Sequence, residues 1–594
     1  MTDVKRLFDF PYYQLEKFPQ EAAFVTKVNG EWIKTSTQEY IDKANAISRG
    51  LIKLGIQPND KVAIISMTNR TEWNICDIGI LQTGAQDVPI YPTITEEDYA
   101  YVLNHSESKY CFVSCCEVQG KIENIKALVP SLQGVYSFDD LGSCDNWSEV
   151  LKLGNDNPDL QAEVERRKAA VDENDLATLI YTSGTTGKPK GVMLSHKNIA
   201  SNAKHSKGRL PIVEGSSKAL SFLPVCHIYE RMLLYMYQYC GVSIYFAESL
   251  ETISDNLQEI HPQVMTAVPR LLEKVYDKII AKGADLTGIK KSLFFWAVNL
   301  GLKWEPYDQN GAWYEFKLKI ARKLIFSKWK EALGGELRAI ASGSAALQPR
   351  LARVFNAADC PVMEGYGLTE TSPVVTVNDL RNGGFRIGTV GKALPDTEIK
   401  IASDGEILIK GPQVMLGYYK DPEQTAEVLK NGYFHTGDIG EVDGDGFLKI
   451  TDRKKSMFKT SGGKYVAPQL LENAMKQSSF IEQILVVGDG EKMPAALIQP
   501  NWEWVSDWSD RKAKGISKDL NEAVKDEKLI KRIQKEIDKY NEGFGKWEKI
   551  KTFQLTPDVW SIDGGQLTPT MKAKRKVIKE IYKDLYEKLY DRAS

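Results

Sequence analysis

Short apolar runs alternate with helical or loop stretches through much of this chain, and this alternation limits the folds open to it. Each run has the length and residue types of a buried strand. The runs are Lys61–Met67, Val88–Tyr91, Tyr110–Ser114, Ala177–Tyr181, Lys218–Leu223, Val242–Phe246, Val264–Val268 and Leu337–Ala341. Strands separated by helical crossovers pair in parallel. The pattern therefore predicts an α/β fold with largely parallel sheets covered by helices.

Helix signals support the same fold class. Ser36-Thr-Gln-Glu39 has the capping-box pattern, which predicts a helix running to about Leu54 and stopping at Gly55. Residues 233–247 form the most apolar stretch, but it is too short to span a bilayer and reads as a buried helix running into a strand. An aromatic-rich helical stretch between Leu286 and Leu333 is predicted to be a helical hairpin with its aromatics in the core.

The pattern of predicted secondary structure changes after Gly384. Short strands separated by Asp-Gly turns predict a β-rich subdomain over about residues 385–450. From Lys455 onward, a strand pair and charged helices predict a separate small α+β domain. Because 594 residues exceed one hydrophobic core, we expect an N-terminal domain over residues 1–453 and a C-terminal domain over residues 454–594.

Composition excludes several classes of protein. The net charge is −2, with 77 basic and 79 acidic residues, so no overall field recruits nucleic acid. Eight scattered cysteines without a CxxC pair favour free thiols in a reducing compartment. The N-terminus lacks the apolar core of a signal peptide. We expect a cytoplasmic protein whose membrane association, if any, is peripheral on the inner face, and its oligomeric state is left open.

The segment Tyr181–Val192 follows one of the predicted strands and is rich in glycine, hydroxyl and lysine side chains. Such a loop brings backbone N–H groups and positive charge close to an anion. It is not a Walker loop, because only two residues separate Gly184 from Gly187 and Pro189 follows Lys188. A short match of this kind has two interpretations, a surface turn or a phosphate loop. The match in this segment is long and unbroken, which favours the phosphate loop.

The segment resembles the phosphate loop of the adenylate-forming enzymes, the superfamily of acyl-CoA synthetases, luciferases and peptide-synthetase adenylation domains. The resemblance extends from about Ser36 to Arg575. It implies a mobile C-terminal lid domain, ATP, Mg²⁺ and coenzyme A. The residues that it places on the phosphates are Thr182, Ser183, Gly184, Thr185, Thr186, Gly187, Lys188 and Lys190, with Thr182 also assigned to catalysis.

Two further motifs complete the resemblance on the nucleotide side. The loop Gly343, Ser344 and Ala345 corresponds to the adenine-contacting loop. In Gly365-Tyr-Gly-Leu-Thr-Glu370, Tyr366 can stack on a purine and Thr369 can donate to a phosphate. Glu370 is the candidate Mg²⁺ ligand, because its carboxylate is a hard oxygen donor.

A third group of candidates lies later in the chain. Asp438 can accept two hydrogen bonds from ribose hydroxyls, and the resemblance also places Arg453 on the ribose and makes Lys455 the hinge between domains. It places Lys459 in the second half-reaction, and it puts Gly462 and Gly463 along the pantetheine path. Near the C-terminus, Leu567–Arg575 resembles the catalytic-lysine signature, with Lys572 as the match.

The substrate that the resemblance implies is a fatty acid of the long-chain type. Leu324–Gly335 is similar to a segment typical of long-chain fatty acyl-CoA synthetases. Gly367 stands where acetate-specific relatives carry a blocking tryptophan, so it is assigned to an open acyl pocket. His227 is assigned to the same pocket, with a core histidine as the alternative. Two other functions remain open: a ligase that delivers the acyl group to a carrier protein, and a non-catalytic nucleotide-binding protein.

Overall fold

The computed structural model describes residues 3–182, 188–381, 383–512, 515–561, 564–568 and 573–590. The chain separates into two units. The first contains residues 1–400, 408–435 and 443–448, and the second contains residues 401–407, 436–442 and 449–594.

The strands of the first unit form two large sheets. They are β1 (Phe24–Val28), β2 (Glu31–Thr35), β3 (Lys61–Ile65), β4 (Gln86–Ile90), β5 (Ser108–Val113), β6 (Gly134–Ser137), β7 (Asp145–Asn146), β8 (Leu176–Thr182), β9 (Lys190–Ser195), β10 (Lys218–Ser221), β11 (Ser243–Phe246), β12 (Val264–Ala267), β13 (Ala339–Ser342), β14 (Val362–Gly367), β15 (Val374–Val377) and β16 (Lys392–Ala393).

Further strands follow in the β-rich stretch and the C-terminal part. They are β17 (Glu398–Ile401), β18 (Glu406–Lys410), β19 (Gly417–Tyr418), β20 (Leu429–Lys430), β21 (Tyr433–Val442), β22 (Leu448–Arg453), β23 (Phe458–Lys459), β24 (Tyr465–Val466), β25 (Ile481–Val487), β26 (Ala495–Pro500) and β27 (Thr552–Leu555).

Helices separate most of the strands. Those before residue 430 are α1 (Asp9–Lys17), α2 (Thr37–Lys53), α3 (Thr71–Leu81), α4 (Glu96–Ser106), α5 (Cys116–Ile125), α6 (Trp147–Asn155), α7 (Gln161–Ala170), α8 (His196–Ser206), α9 (Ile228–Tyr239), α10 (Ile253–Ile260), α11 (Pro269–Ala284), α12 (Gly288–Gly301), α13 (Ala312–Ala321), α14 (Ser327–Ala332), α15 (Pro349–Ala357) and α16 (Pro422–Val428). The later ones are α17 (Pro468–Met475), α18 (Trp502–Arg511), α19 (Leu520–Ala523), α20 (Glu527–Asn541), α21 (Arg575–Ile581) and α22 (Lys583–Lys588). A turn of π-helix, Arg322–Phe326, joins α13 to α14.

The first sheet has eight strands in the order β19-β9-β8-β4-β3-β5-β6-β7, and the second has nine in the order β16-β15-β14-β13-β12-β10-β11-β1-β2. In the first sheet, neighbouring strands are parallel along the part of this order that begins at β8 and ends at β7. In the second sheet, they are parallel along the part that begins at β14 and ends at β1. The strands β4 and β12 are buried along their whole length, as expected for sheets covered on both faces. The predicted helix-covered, largely parallel α/β fold is confirmed.

Local signals in the first unit agree with this architecture. The Ser36 hydroxyl accepts a hydrogen bond from the Glu39 N–H at the start of α2. The apolar stretch 233–247 contains the end of α9 and all of β11, as predicted. Among the described residues, no helix is both long enough and apolar enough to cross a bilayer.

The aromatic-rich hairpin only partly follows its prediction. Phe294, Phe326 and Trp329 are buried in the core. Trp313 and Phe316, which were expected there too, are exposed. Their helical spacing places them on the side of α13 opposite to its buried residues Leu318 and Ala321.

The second unit contains a three-stranded sheet in the order β25-β26-β27. Its first two strands are antiparallel, with Val487 opposite Ala495, which confirms the predicted strand pair. The third strand is parallel to β26. Helices α17, α18 and α20 pack on this sheet through apolar residues such as Leu471, Val505 and Ile533. The small α+β fold predicted for the C-terminal part is confirmed.

Candidate active site

The predicted phosphate loop connects two antiparallel strands in the first unit. In the register of β8 and β9, Thr182 lies opposite Lys190. This pairing holds the two ends of the loop side by side. Residues Ser183, Gly184, Thr185, Thr186 and Gly187 lie outside the described residues, so their predicted contacts with phosphate stay predictions.

Both lysines of the loop lie against aromatic rings of the same unit. The Lys188 Nζ is 5.2 Å from the centre of the Tyr101 ring, and the Lys190 Nζ is 5.4 Å from that of Tyr418. A cation over an aromatic face is attracted by the ring. The lysine side chains are therefore oriented at the loop by neighbouring strands and helices.

Tyr418 connects the phosphate loop to the Glu370 motif. It lies on β19, which pairs with β9 and places Tyr418 opposite Val192. Its hydroxyl donates a hydrogen bond of 2.9 Å to the Glu370 Oε1, while the Glu370 carbonyl accepts a bond from the Met415 N–H. Burial, followed by the negative charge of Glu370, raises the pKa of Tyr418, so the hydroxyl stays a donor. Lys190, Tyr418 and Glu370 thus form one cluster.

The Glu370 carboxylate suits a divalent cation that is shared with phosphates. Within the described parts of the chain, Oε2 receives no hydrogen bond, and no set of three metal-ligating side chains is present. Mg²⁺ commonly takes one or two carboxylates and completes its shell with substrate phosphates and water. One partly buried carboxylate next to a phosphate loop therefore fits Mg²⁺ brought in with ATP.

A buried glutamate supports the candidate adenine loop. β13 and β14 are parallel, with Ser342 opposite Glu364, so the loop that follows β13 passes the end of β14. The Glu364 carboxyl accepts a hydrogen bond of 2.9 Å from the Leu347 N–H. Ser344 in this loop has a positive φ of 69°, an uncommon conformation that local contacts must hold. Burial raises the pKa of Glu364 to about 8.

We expect Glu364→Gln to remove part of the pH dependence of stability. A carboxyl whose pKa is about 8 when folded and ordinary when unfolded stabilises the folded chain fully below the unfolded pKa. That contribution is lost as the pH rises towards 8, by about 1.4 kcal/mol per pH unit. Glutamine stays neutral and keeps an oxygen acceptor for Leu347. Urea unfolding between pH 5 and 8 should therefore give a flatter profile for the variant.

The exposed Glu21 is a matched control, because Glu21→Gln should leave the profile unchanged. A difference between wild type and Glu364→Gln that is the same at every pH would contradict the assignment.

Gly367 has a steric reason for being glycine that the sequence did not reveal. A Cβ atom built at this position would lie 1.8 Å from the Pro373 carbonyl oxygen. The register between β14 and β15 also shifts between Tyr366 and Gly367, as at a β-bulge. Gly365 and Tyr366 pair with Val377 and Thr376 on β15. The acyl-pocket role of Gly367 stays a prediction.

His227 caps helix α9 in the structure. Its Nδ1 accepts a hydrogen bond of 3.1 Å from the Tyr229 N–H, which satisfies one of the N–H groups left open at a helix start. The accepting Nδ1 implies that the proton of the neutral ring is on Nε2. This cap is a structural role, and the predicted contact of His227 with the acyl chain stays untested.

The two predicted ribose residues lie together in the second unit. The Arg453 Nε is 3.2 Å from the Asp438 Oδ1, and Asp438 is almost fully buried. The Lys454 N–H also donates to the Gly437 carbonyl, which holds the end of β22 against β21. A carboxylate accepts hydrogen bonds from hydroxyl groups, which is the contact with ribose predicted for Asp438.

The segment predicted as a hinge is a tight turn after β22. The N–H groups of Ser456 and Met457 both donate to the Arg453 carbonyl. Lys454 pairs with Asp404 at 2.6 Å and Glu406 at 3.0 Å. Lys455 itself is exposed.

Lys459 and the two predicted coenzyme A glycines share one hairpin. β23 and β24 pair Lys459 with Tyr465, and the intervening turn contains Gly462 and Gly463. Gly463 has a φ of 77°, a region that favours glycine. A Cβ added there would lie 3.8 Å from the Lys459 Cε, so the lysine side chain lies beside the turn.

Lys572 lies outside the described residues, but the residues that flank its loop are fixed. Leu567 forms an antiparallel bridge with Ala573. The Lys574 N–H donates to the Gln566 carbonyl. Arg575 pairs with Glu472 at 2.6 Å.

A buried charge cluster lies behind the phosphate-loop strand and was missed by sequence reasoning. The Arg231 Nη2 is 2.7 Å from Asp77 and 2.9 Å from Asp87, and its Nη1 donates to the Thr178 hydroxyl of β8. All three charged side chains are buried.

Next to this cluster, Glu230 accepts hydrogen bonds from Ser221 and Thr266, and burial raises the pKa of Glu230 to about 7. Four charged or polar residues in apolar elements were the only signal for this cluster in the sequence.

Nearly the whole chain is similar to known proteins. The family model described as AMP-binding enzyme matches residues 12–419, and the model described as AMP-binding enzyme C-terminal domain matches residues 456–594. The chain is 36% identical to long-chain-fatty-acid–CoA ligase FadD15 of Mycobacterium bovis, over 95% of this chain and 93% of that protein. It is 31% identical to long-chain-fatty-acid–CoA ligase 1 of Cavia porcellus, over 92% of this chain and 81% of that protein.

Among solved structures, the fold is similar to the adenylation domain of a carboxylate reductase from Mycobacterium chelonae. The TM-score is 0.73 and the identity is 23%, over 99% of this chain and 91% of that one.

Proposed function

The chain belongs to the AMP-binding enzyme family, and from this premise we propose that it is an AMP-forming long-chain-fatty-acid–CoA ligase. It activates a fatty acid with ATP as an acyl-adenylate and then forms acyl-CoA, releasing pyrophosphate and AMP. The observation that carries this function is the cluster of Lys190, Tyr418 and Glu370, which places a phosphate-loop cation and a carboxylate around one tyrosine.

The first half-reaction joins two anions. A carboxylate oxygen of the fatty acid attacks the α-phosphorus, the bond from this phosphorus to the bridging oxygen breaks, and pyrophosphate leaves. Positioning and charge neutralisation supply most of the catalysis in such transfers. We assign the loop lysines to the β- and γ-phosphates, and Lys572 to the charge that develops at the reacting centre. Mg²⁺ held by Glu370 would neutralise phosphate charge.

The second half-reaction exchanges AMP for sulfur. The coenzyme A thiol loses its proton, the thiolate attacks the acyl carbon, and the bond from this carbon to the phosphate oxygen breaks. We place Lys459, Gly462 and Gly463 on this side of the reaction, since they share one hairpin. We also propose a domain boundary at residues 453–454 and a hinge at Lys455, and the family matches that end at 419 and begin at 456 support this division.

A coenzyme A-dependent assay of AMP release, run against fatty acids of graded length, tests the function. Pyrophosphate release together with acyl-CoA formation is expected, with long chains preferred. AMP release that requires a carrier protein and not coenzyme A would identify the alternative ligase. ATP binding without pyrophosphate release would identify a non-catalytic protein.

We also propose a reducing, cytoplasmic location. The eight free cysteines of the chain support it.

We expect Tyr418→Phe to weaken the use of Mg²⁺ and ATP. The ring that faces Lys190 stays, while the hydrogen bond that orients Glu370 is lost. A hydrogen bond to a charged group contributes about 1.5–3 kcal/mol, so kcat/KM for ATP should fall by about tenfold or more. The apparent Mg²⁺ requirement should rise, and KM for coenzyme A should not change. Steady-state kinetics at varied Mg²⁺ concentrations measure both effects.

Tyr419→Phe is the matched control, because this neighbouring tyrosine contacts His105 and Lys420 through its ring. It should keep the wild-type response to Mg²⁺. If Tyr418→Phe lowers only thermal stability and leaves the Mg²⁺ dependence unchanged, Tyr418 has no positioning role.

A further inference from the structure

Helix α13 and the turn after it expose a row of large apolar side chains to solvent. We call Trp313, Phe316, Ile320 and Leu324 the α13 face. Their exposed fractions are 69%, 53%, 37% and 47%. The spacing of three, four and four residues places them on one side of a helix. Isolated apolar residues are normal on a surface, whereas a contiguous row marks a site of interaction.

The two aromatic residues of this face are already arranged against each other. The rings of Trp313 and Phe316 are stacked, with centres 5.5 Å apart and planes 14° apart. The Lys317 Nζ lies 5.3 Å from the centre of the Trp313 ring. The opposite side of the helix is anchored in the core through Leu318 and Ala321. The face is therefore a fixed surface on a packed helix.

Positive charge surrounds the α13 face. Residues 312–332 contain six basic and two acidic side chains, although the whole chain has a net charge of −2. Lys319, Lys323 and Lys328 are exposed. One of the two acids, Glu315, directs an oxygen into the protein, where that atom is buried. The outer side of this segment thus combines apolar side chains with lysines and little compensating negative charge.

We propose that the α13 face docks on the surface of a lipid bilayer that contains anionic headgroups. Tryptophan and phenylalanine on a helix with a lysine-rich flank are typical of helices that lie in the membrane interface. The rings would enter the boundary between headgroups and acyl chains, and Lys317, Lys319 and Lys323 would extend to the anionic headgroups. A bilayer with anionic headgroups accounts for the apolar row and the surrounding lysines together, whereas an apolar protein partner would account only for the row.

Binding to sedimented vesicles tests this docking surface with the full chain. One set of vesicles contains phosphatidylcholine with phosphatidylglycerol, and the other contains phosphatidylcholine alone. We expect binding to the first set that falls as salt is added. Trp313→Ser with Phe316→Ser should lower the partition coefficient by about tenfold or more. Replacing Lys317, Lys319 and Lys323 by glutamine should lower it by about fivefold per lysine on anionic vesicles.

Trp547→Ser is the matched control. Trp547 is also an exposed tryptophan, at 51%, and has the Lys464 Nζ 5.7 Å from its ring centre. It should bind vesicles as the wild type does. The lysine variants keep the experiment decisive if the aromatic double variant folds poorly, because Lys319 and Lys323 are exposed and Lys317 is partly exposed.

Three results would overturn the proposal. The wild type could fail to bind anionic vesicles, or the control and the α13 variants could lose binding equally. Analytical ultracentrifugation could also show that the wild type self-associates and that the α13 variants are monomers with unchanged vesicle binding. In that last case the face joins two copies of the chain.

Discussion

Replacing Lys572 with alanine is expected to abolish ATP-dependent pyrophosphate release while sparing conversion of a presynthesised acyl-adenylate to acyl-CoA. The loss in the first half-reaction should be on the order of 10²–10³ in rate, as for removal of a preorganised donor at a developing charge. The second half-reaction begins after pyrophosphate has left, so it does not need this charge. Pyrophosphate exchange and single-turnover thioester formation measure the two halves separately.

The surroundings of the Lys572 loop make this difference interpretable. The bridge between Leu567 and Ala573 and the pair of Arg575 with Glu472 fix both ends of the loop. Neither contact involves the lysine side chain, so its truncation should leave the fold of the C-terminal unit intact. Any loss of activity then reports on the chemistry and not on unfolding.

Lys574→Ala is the control for general loss of positive charge near the loop, because Lys574 is exposed and two positions away. It should keep near wild-type rates in both half-reactions. Equal losses in both halves for Lys572→Ala would contradict the assigned role, as would comparable losses in Lys574→Ala.

Much of the fold could be predicted from the sequence because its strongest signals are local. The run Val264–Val268 is apolar throughout and forms β12, which is buried along its length. Ser36 and Glu39 form the predicted cap within four residues of each other. The exposure of Trp313 could not be predicted in the same way, because an aromatic residue in a helix faces core or solvent according to tertiary packing that periodicity alone does not determine.

The candidate site shows the same division. Contiguous motifs such as Gly365–Glu370 could be identified from residue types at fixed spacing. Tyr418 could not, because it reaches Glu370 only through the pairing of β19 with β9. Glu364 likewise contacts Leu347 only because β13 and β14 are neighbours. Residues that act through partners distant in the chain carry no local pattern.

The second large effect is expected on stability, at the buried Arg231 cluster. Arg231→Met should lower the free energy of unfolding by about 3–5 kcal/mol, because it leaves Asp77 and Asp87 buried without a cation. Asp87 depends on this charge especially, since no hydrogen bond from the described residues reaches its carboxylate oxygens. Urea unfolding of the full chain, followed by a signal from the first unit, measures the change.

The pH dependence and a second set of substitutions separate lost charge pairing from lost packing. Burial raises the pKa of Asp77 to about 8 although the charge of Arg231 lowers it. Removing Arg231 therefore favours the neutral form of Asp77 over a wider pH range, and the destabilisation should be smaller at pH 5 than at pH 8. Arg231→Met combined with Asp77→Asn and Asp87→Asn should regain most of the stability. Arg166→Met is the control, because Arg166 also pairs with a carboxylate, that of Glu163 at 2.6 Å, but is exposed, and an exposed pair contributes little. A cost for Arg231→Met no greater than that of Arg166→Met would show that the cluster does not stabilise the fold.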